Sequence, residues 1–324
     1  MTMTADAYYR QLLKDIAVPM EDIEAAREAR DDLGAAAVEI LKGWGLGSPG
    51  FFAAGALAAG TQIAPLNDVD LVVRANKIRT GWKDAPRRAL EDLCVAMGAV
   101  GYTCETGAHA VKVMLPGERF TADVVFGCVH PEQGLWIPHC PKGEVPAWIR
   151  TDPKAHRDQV KQRNRDLGVE FAREIRIAKA LNRKWALADA EGRKPLSSFH
   201  MTALALALIT TPVDHARTTP RFLEAAARRV LTPMRDPAGV GPDLEARDPA
   251  RASALLAEAA RLTREALAAG DDAERILRTV FGDPATTTGL AAGRRASVVV
   301  GGTLALGTAG RAVGMGRSYG DLAR

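Results

Sequence analysis

Apolar and polar positions follow two different periods along the chain, and these periods separate a mixed first part from a helical second part. Short, largely apolar runs in the first part predict strands at 51–54, 69–74, 110–116 and 119–127. Apolar residues at helical spacing predict helices over 21–43 and 84–97. A Pro-Gly turn at 116–117 separates the last two strands.

The second part begins after a Pro-rich stretch, 138–153, which predicts a connection between two lobes. Helical spacing then predicts helices over 153–166, 168–188, 197–210, 220–231, 249–268 and 271–281. The expected units are a mixed lobe over 1–150, a helical lobe over 151–283 and a Gly/Ala-rich tail over 284–324. We therefore predict an α+β fold with a small mixed sheet and an all-helical second lobe.

Composition narrows the class of protein. The chain has 324 residues, of which 47% are apolar and 25% charged, so it has enough material for a folded core. The net charge of +4 is compatible with anionic ligands such as nucleotides, but it is too weak to indicate a protein that coats nucleic acid. The uncharged run 296–310 has fifteen residues and is too short and glycine-rich for a transmembrane helix, although a segment that touches a membrane is a minor alternative.

The cysteines point to a reducing compartment. Cys94, Cys104, Cys128 and Cys140 form no CxxC pair, and the first residues lack the apolar core of a signal peptide. We therefore expect free thiols and a cytoplasmic protein. Zinc binding is a weaker alternative: Cys128, His130, His139 and Cys140 are four possible zinc ligands within thirteen residues, but their spacing matches no standard motif.

Two aspartates stand at the start of the strand-like run VDLVV. Asp68 and Asp70 are two residues apart, so a strand would place both side chains on one face. Two such carboxylates repel each other, and a divalent cation such as Mg²⁺ would remove the repulsion. The alternative is a β-turn over residues 65–68, with Asp70 at a solvated strand edge.

A third carboxylate interrupts the later apolar run. Asp123 precedes Val124, Val125 and Phe126. Three aspartates on two strands of one small sheet make a two-metal site plausible, in which one metal activates an attacking hydroxyl and the other holds a triphosphate and its leaving group.

A glycine before the aspartates completes the pattern. Gly55 ends one strand-like run and opens a short helix-capable stretch, where exposed backbone N–H groups can receive phosphate. The commoner use of such a glycine is a tight turn. Nucleotidyl transfer needs a phosphate-binding loop, a pair of aspartates and a further aspartate on a later strand, and the sequence offers a candidate for each.

These residues resemble a known family. GALAAGTQIAPLNDVDLVV followed by TADVV is similar to the polymerase-β-type nucleotidyltransferases, and more narrowly to the bacterial CD-NTases. CD-NTases are relatives of cyclic GMP–AMP synthase and oligoadenylate synthase that act in CBASS anti-phage defence. The similarity continues through TDPKAHRDQVKQRN, EIRIAKALNRK and LSSFHMTALAL to the closing helices that end in VFG, over about residues 20–283. One position departs from the family, because Ala56 stands where it usually has serine.

The resemblance implies a mechanism and assigns residues to it. Asp68, Asp70 and Asp123 would hold Mg²⁺ (Mn²⁺ could replace it), and Asp123 would also help deprotonate the acceptor hydroxyl. Gly55, the backbone of Ala56, Lys179 and Ser198 would hold the triphosphate of an NTP substrate. The serine hydroxyl that Ala56 lacks would cost one hydrogen bond to a charged group, typically about 1.5–3 kcal/mol.

Lys179 and Ser198 each have a simpler interpretation. Arg176, Lys179 and Arg183 share one stripe of the helix predicted over 168–188, and such a stripe is usually a solvated face. The resemblance favours phosphate binding for Lys179 and leaves Arg176 and Arg183 as solvated residues. Ser198, at a predicted helix start, could serve only as an N-cap.

The expected function is synthesis of a cyclic di- or trinucleotide second messenger from NTPs, with release of pyrophosphate. Its product would act on a downstream effector, and a regulatory protein partner is compatible with the pattern. Two alternatives stay open: a nucleotidyltransferase that modifies another acceptor, such as an antibiotic or an RNA end, and a catalytically weak nucleotide-binding protein.

Overall fold

The sheet of the first lobe places two parallel strands at its centre. In the computed structural model, which describes residues 3–115 and 120–282, the strands are β1 (Gly50–Ala53), β2 (Asp68–Ala75), β3 (Thr103–Thr106), β4 (Val111–Met114), β5 (Thr121–Val129), β6 (Leu135–His139) and β7 (Ala147–Thr151). Their order is β1-β2-β5-β4-β3, and β6 joins β5 to β7. Only the β2–β5 pair is parallel among these described strands.

Most of the remaining described chain is helical. The helices are α1 (Ala5–Asp15), α2 (Met20–Gly43), α3 (Gly55–Ala59), α4 (Pro86–Ala99), α5 (Pro153–Leu167), α6 (Glu170–Ala188), α7 (Ser198–Leu208), α8 (His215–Arg229), α9 (Pro249–Ala268) and α10 (Ala273–Phe281). Short 3₁₀ turns occur at Thr80–Trp82 and Gly270–Asp272. The predicted α+β class, with a small mixed sheet and a helical second part, is confirmed.

Each face of the sheet enters a different apolar core. Val69, Leu71 and Val73 of β2 pack with α2 and α4, whereas Val72 packs with the helices of the second lobe. β5 alternates in the same way, with Val124 on the first face and Val125 on the second. Side chains alternate along a strand, so the face of Val72 and Val125 is also the face of Asp70 and Asp123.

Several elements differ from the sequence-based expectation. The stretch 138–153 was expected to be a connection, but it contains the end of β6 and all of β7, with Pro138 opposite Trp148. The sequence also did not predict α1 or β3. α8 begins five residues earlier than expected, and it includes Pro220, which was expected to start the helix.

α1 packs with the helical second lobe. Tyr8 of α1 is buried, and its hydroxyl donates to the carbonyl of Leu277 in α10. The assignment of 1–150, 151–283 and 284–324 as units stays a prediction. The turn at 116–117, the tail over 284–324 and its run 296–310 lie outside the described residues. Within the described ranges, no helix is long and apolar enough to cross a bilayer.

The packing of α2 on β1 gives a test of the fold. A Cβ added to Gly34 would lie 2.5 Å from Cδ2 and 2.7 Å from Cγ of Phe51. Gly34→Ala should therefore lower the free energy of unfolding by about 1–3 kcal/mol, although alanine favours helices. Gly98→Ala in α4 is the control, because nothing lies within 4 Å of the added Cβ, and it should be neutral or stabilising. Denaturant unfolding followed by circular dichroism measures both, and equal stabilisation by both would contradict this packing.

Candidate active site

Two of the three predicted carboxylates lie directly opposite each other. The β2–β5 register pairs Asp70 with Asp123 and Asp68 with Thr121. Asp70 is 3% exposed and Asp123 8%, and Asp68 is half-buried and accepts a hydrogen bond from Thr121 Oγ1 at 3.2 Å. The turn interpretation is therefore wrong for Asp68 and Asp70, because β2 begins at Asp68 and Asp70 is buried.

The donor chemistry of this pair fits a divalent cation. Neighbouring strands lie about 4.8 Å apart, so two ionised carboxylates in register repel strongly unless cations compensate. Carboxylate oxygens are the ligands that Mg²⁺ prefers. As the side chains stand, no group of three or more His, Cys, Asp or Glu among the described residues converges on a metal position. The register thus brings the pair Asp70 and Asp123 together, with Asp68 two residues away on the same face.

The arrangement of the side chains also does not support the zinc alternative. Cys128, His130, His139 and Cys140 do not form a metal-binding group in the described chain. His139 instead contacts His109, with 3.3 Å between Nδ1 and Nε2, and His130 accepts from the backbone N–H of Glu132.

Gly55 packs its backbone directly against the Asp70 carboxylate. It has φ +64°, and a Cβ there would lie 1.6 Å from Asp70 Oδ2. The preceding N–H, that of Ala54, donates to the Asp70 carbonyl at 3.1 Å. The loop predicted to receive phosphate and the predicted metal ligand are therefore in contact. Gly55 is required both for its left-handed conformation and for its missing side chain.

The basic stripe of α6 holds the loop that follows α3. Arg176 donates through Nε and Nη2 to the carbonyl of Gly60, at 3.1 and 2.8 Å. Arg183 donates to the carbonyl of Ala64. The interpretation of Arg176 and Arg183 as solvated residues is therefore wrong, because both are half-buried and fasten residues 60–64 to the second lobe.

Lys179 lies between these two arginines and is 9% exposed. Its Nζ donates to Thr61 Oγ1 at 2.8 Å and to the Thr61 carbonyl at 3.3 Å. Burial lowers the pKa of Lys179 to about 7, while the negative charge of Asp70 opposes that shift. The ammonium is thus a buried cation within electrostatic reach of Asp70, and the solvated-face alternative is excluded for it.

Ser198 is the first residue of α7 but not its cap. The cap is Ser197, whose Oγ accepts from the backbone N–H of His200 at 2.9 Å. The N-cap interpretation of Ser198 is therefore wrong. Asn182 connects this helix start to α6, because its Nδ2 donates to the carbonyl of Leu196 at 2.7 Å. Asn182 follows Lys179 by three residues, so the start of α7 lies near the Lys179 turn.

Sequence reasoning missed two threonines that support the site. The alternation of side chains along a strand could have identified Thr121, because it lies two residues before Asp123 and therefore on the same face. Thr61, 1% exposed, carries no such signal, because its partner Lys179 is 118 residues away in the chain.

The fold is that of solved nucleotidyltransferases. The structure of CdnC from E. coli MS115-1 with ATP has a TM-score of 0.64 at 16% identity and covers 86% of this chain and 97% of its own. The CD-NTase CdnG from Bradyrhizobium diazoefficiens with GTP has a TM-score of 0.66 at 16% identity, covering 88% and 98%. Vibrio cholerae DncV, a cyclic AMP-GMP synthase solved with the linear intermediate 5′ pppA(3′,5′)pG, has a TM-score of 0.58 at 14% identity, covering 75% and 71%.

No family model and no curated protein matches the chain by sequence. At such low identities the structural likeness establishes the fold alone.

The contact between Gly55 and Asp70 gives the first test of the site. Gly55→Ala should lower the free energy of unfolding by more than about 2 kcal/mol, because it combines positive-φ strain with a clash against a buried carboxylate. Gly60→Ala is the matched control, since Gly60 has φ +72° and nothing within 4 Å of an added Cβ. It should show the backbone penalty only, about 1 kcal/mol. Equal losses in denaturant unfolding would show that the Asp70 contact is absent.

Lys179 gives a test with a defined pH dependence. Its pKa is about 7 in the folded protein and 10.5 ordinarily, so the unfolded chain binds more protons between these values. Burial of the charged form therefore destabilises the fold below pH 7, and the penalty disappears as pH rises toward 10.5. Between pH 7 and 10 the unfolding free energy of the wild type should rise relative to Lys179→Met, and Lys154→Met, at an exposed lysine, should not alter the wild-type profile. If the unfolding free energies of the wild type and of Lys179→Met changed in parallel with pH, the lowered pKa of Lys179 would be contradicted.

Proposed function

We propose that this chain is a nucleotidyltransferase of the CD-NTase family that joins NTPs into a cyclic di- or trinucleotide. The observation that carries the proposal is the register of Asp70 with Asp123, with the Gly55 backbone packed on Asp70, in a fold shared with nucleotide-bound CD-NTases. DncV, of the same fold, was solved with a linear dinucleotide intermediate, which is the species expected before cyclisation.

Asp68, Asp70 and Asp123 are the residues assigned to divalent cations, Mg²⁺ or Mn²⁺. When bound, the cations would neutralise the carboxylates and stabilise charge on the transferring phosphoryl group. Asp123 lies on the acceptor side of the pair and assists removal of the proton from the attacking hydroxyl. Thr121 orients Asp68 by donating to its carboxylate.

The triphosphate is assigned to the other side of the carboxylates. The backbone N–H groups at Gly55 and Ala56 approach it from β1 and α3, and Lys179 and Ser198 approach it from α6 and α7. Lys179 can exchange its bonds with Thr61 for bonds to phosphate, because its ammonium is already within electrostatic reach of Asp70. Ala56 supplies no hydroxyl, so this loop binds through backbone groups alone.

The biological setting belongs to the same proposal. We infer that the product is a second messenger in CBASS anti-phage signalling, made in the cytoplasm and sensed by a downstream effector. A regulatory partner is in keeping with CdnC, which was solved in complex with a HORMA protein at 18% identity to this chain.

A product assay separates the proposal from its alternatives. The protein is incubated with the four radiolabelled NTPs and Mg²⁺ or Mn²⁺, and the mixture is treated with phosphatase. A phosphatase-resistant oligonucleotide supports the proposal. Label transferred to an added RNA or aminoglycoside favours another acceptor, and nucleotide binding without pyrophosphate release favours a catalytically weak binding protein.

The site assignment predicts the effect of one isosteric substitution. Asp70→Asn should lower pyrophosphate release at least about 100-fold, because one of the carboxylates that would hold the cations is lost. The fold should be kept, since removing one of two neighbouring like charges relieves repulsion. Asp84→Asn, at an exposed aspartate before α4, is the control and should retain full activity. Asp70→Asn turning over at near the wild-type rate would refute the assignment.

A further inference from the structure

The sheet places a lysine beside the Asp70–Asp123 pair, on the side away from Lys179. In the β4–β5 register Lys112 is directly opposite Asp123, just as Asp123 is opposite Asp70. Side chains directly opposite each other in neighbouring strands lie on one face, with Cβ atoms about 5 Å apart. Lys112, Asp123 and Asp70 therefore form one row across three strands.

The burial pattern agrees with this placement. Val111 and Val113, on either side of Lys112, are fully buried in the core under α2 and α4. Lys112 is half-buried and takes the opposite face, which is the face of the carboxylates. The row continues outward to Glu105 of β3, which is exposed at the sheet edge.

Lys112 lies opposite two acidic residues, Asp123 and Glu105, and its electrostatic interaction with Asp123 is expected to be the stronger one. Asp123 is 8% exposed, whereas Glu105 is surrounded by water, and ion pairs strengthen as the local dielectric falls. The carboxylate pair thus has a cation on each flank, Lys179 on the triphosphate side and Lys112 on the acceptor side.

We propose that Lys112 is a positioning residue that holds the Asp123 carboxylate and weakens the binding of divalent cations to the nucleotide-free protein. This inference rests on the proposed function, because it assumes that the carboxylates bind metal. The ammonium keeps two neighbouring carboxylates in place without a metal and opposes a metal ion that approaches them alone. An NTP brings negative charge of its own, so the arrangement favours arrival of the metal together with the nucleotide.

The test measures metal binding without nucleotide, so it does not depend on turnover. Mn²⁺ is titrated into the full chain and free Mn²⁺ is followed by electron paramagnetic resonance. Lys112→Gln should bind Mn²⁺ at least about fivefold more tightly, because removing one positive charge roughly 8 Å from a divalent ion has that effect even at the dielectric of water. Lys112→Arg keeps the charge and should retain the wild-type affinity.

Two control variants test whether the change in Mn²⁺ affinity is specific to Lys112 and whether the metal binds at the carboxylates. Lys77→Gln removes the same charge just beyond the other end of β2, about 25 Å away, and should leave Mn²⁺ affinity unchanged. Asp70→Asn should abolish the binding. Wild-type affinity in Lys112→Gln, with binding lost in Asp70→Asn, would overturn the role of Lys112 and leave the proposed function intact. Equal changes in Lys112→Gln and Lys112→Arg would mean a packing role and also overturn it, and Mn²⁺ binding that survives Asp70→Asn would overturn the metal site itself.

Discussion

The parallel pairing of β2 with β5 is the constraint on which the rest of the structure depends. A slip of one residue in β2 would turn Asp70 toward the core under α2 and α4 and turn Leu71 toward the face that carries Asp123. Both faces of the sheet are buried next to the site, so such a slip would place a carboxylate in an apolar core, at a cost of several kcal/mol. The apolar residues two positions after the aspartates, Val72 and Val125, are buried on the same face and therefore hold the carboxylates in register.

The sequence was informative where the structure is local. Period-two alternation with an interruption by charge identified Asp70 and Asp123, because a carboxylate in an apolar strand conflicts with its own neighbours. Helical spacing also located most helices of the second lobe, because the buried face of an amphipathic helix shows in the sequence as apolar residues three and four positions apart. The glycine at 55 was recognised as a loop residue. That it must be glycine because Asp70 fills the space of a side chain became evident only in three dimensions.

The errors arose where a residue's own sequence pattern does not decide its structure. Arg176 and Arg183 form a stripe that periodicity alone cannot distinguish from a solvated face, because their carbonyl partners lie more than 100 residues earlier. β7 lies in a stretch that proline made look like a loop, and it is defined by pairing with β6 rather than by its own pattern. The N-cap of α7 is Ser197, one position before the serine considered in the sequence. Both residues are serines and cap equally well, so only the backbone conformation determines which of them is the cap.

The same long-range contacts explain how the site can be ready for an anion before one binds. Arg176 and Arg183 direct their charge into backbone carbonyls of residues 60–64 and fix the loop that leads into β2. Lys179, between them, is held by a neutral threonine, and burial lowers its pKa to about 7, so its charged form is poorly compensated. A polyphosphate entering the cleft would compensate that charge and raise the pKa again. The protein thus keeps a poorly solvated cation in a fixed position, and under the proposed function part of the binding free energy of an anion would come from relieving it. In the proposed triphosphate site, where Ala56 provides no hydroxyl, Lys179 would be the more important contact.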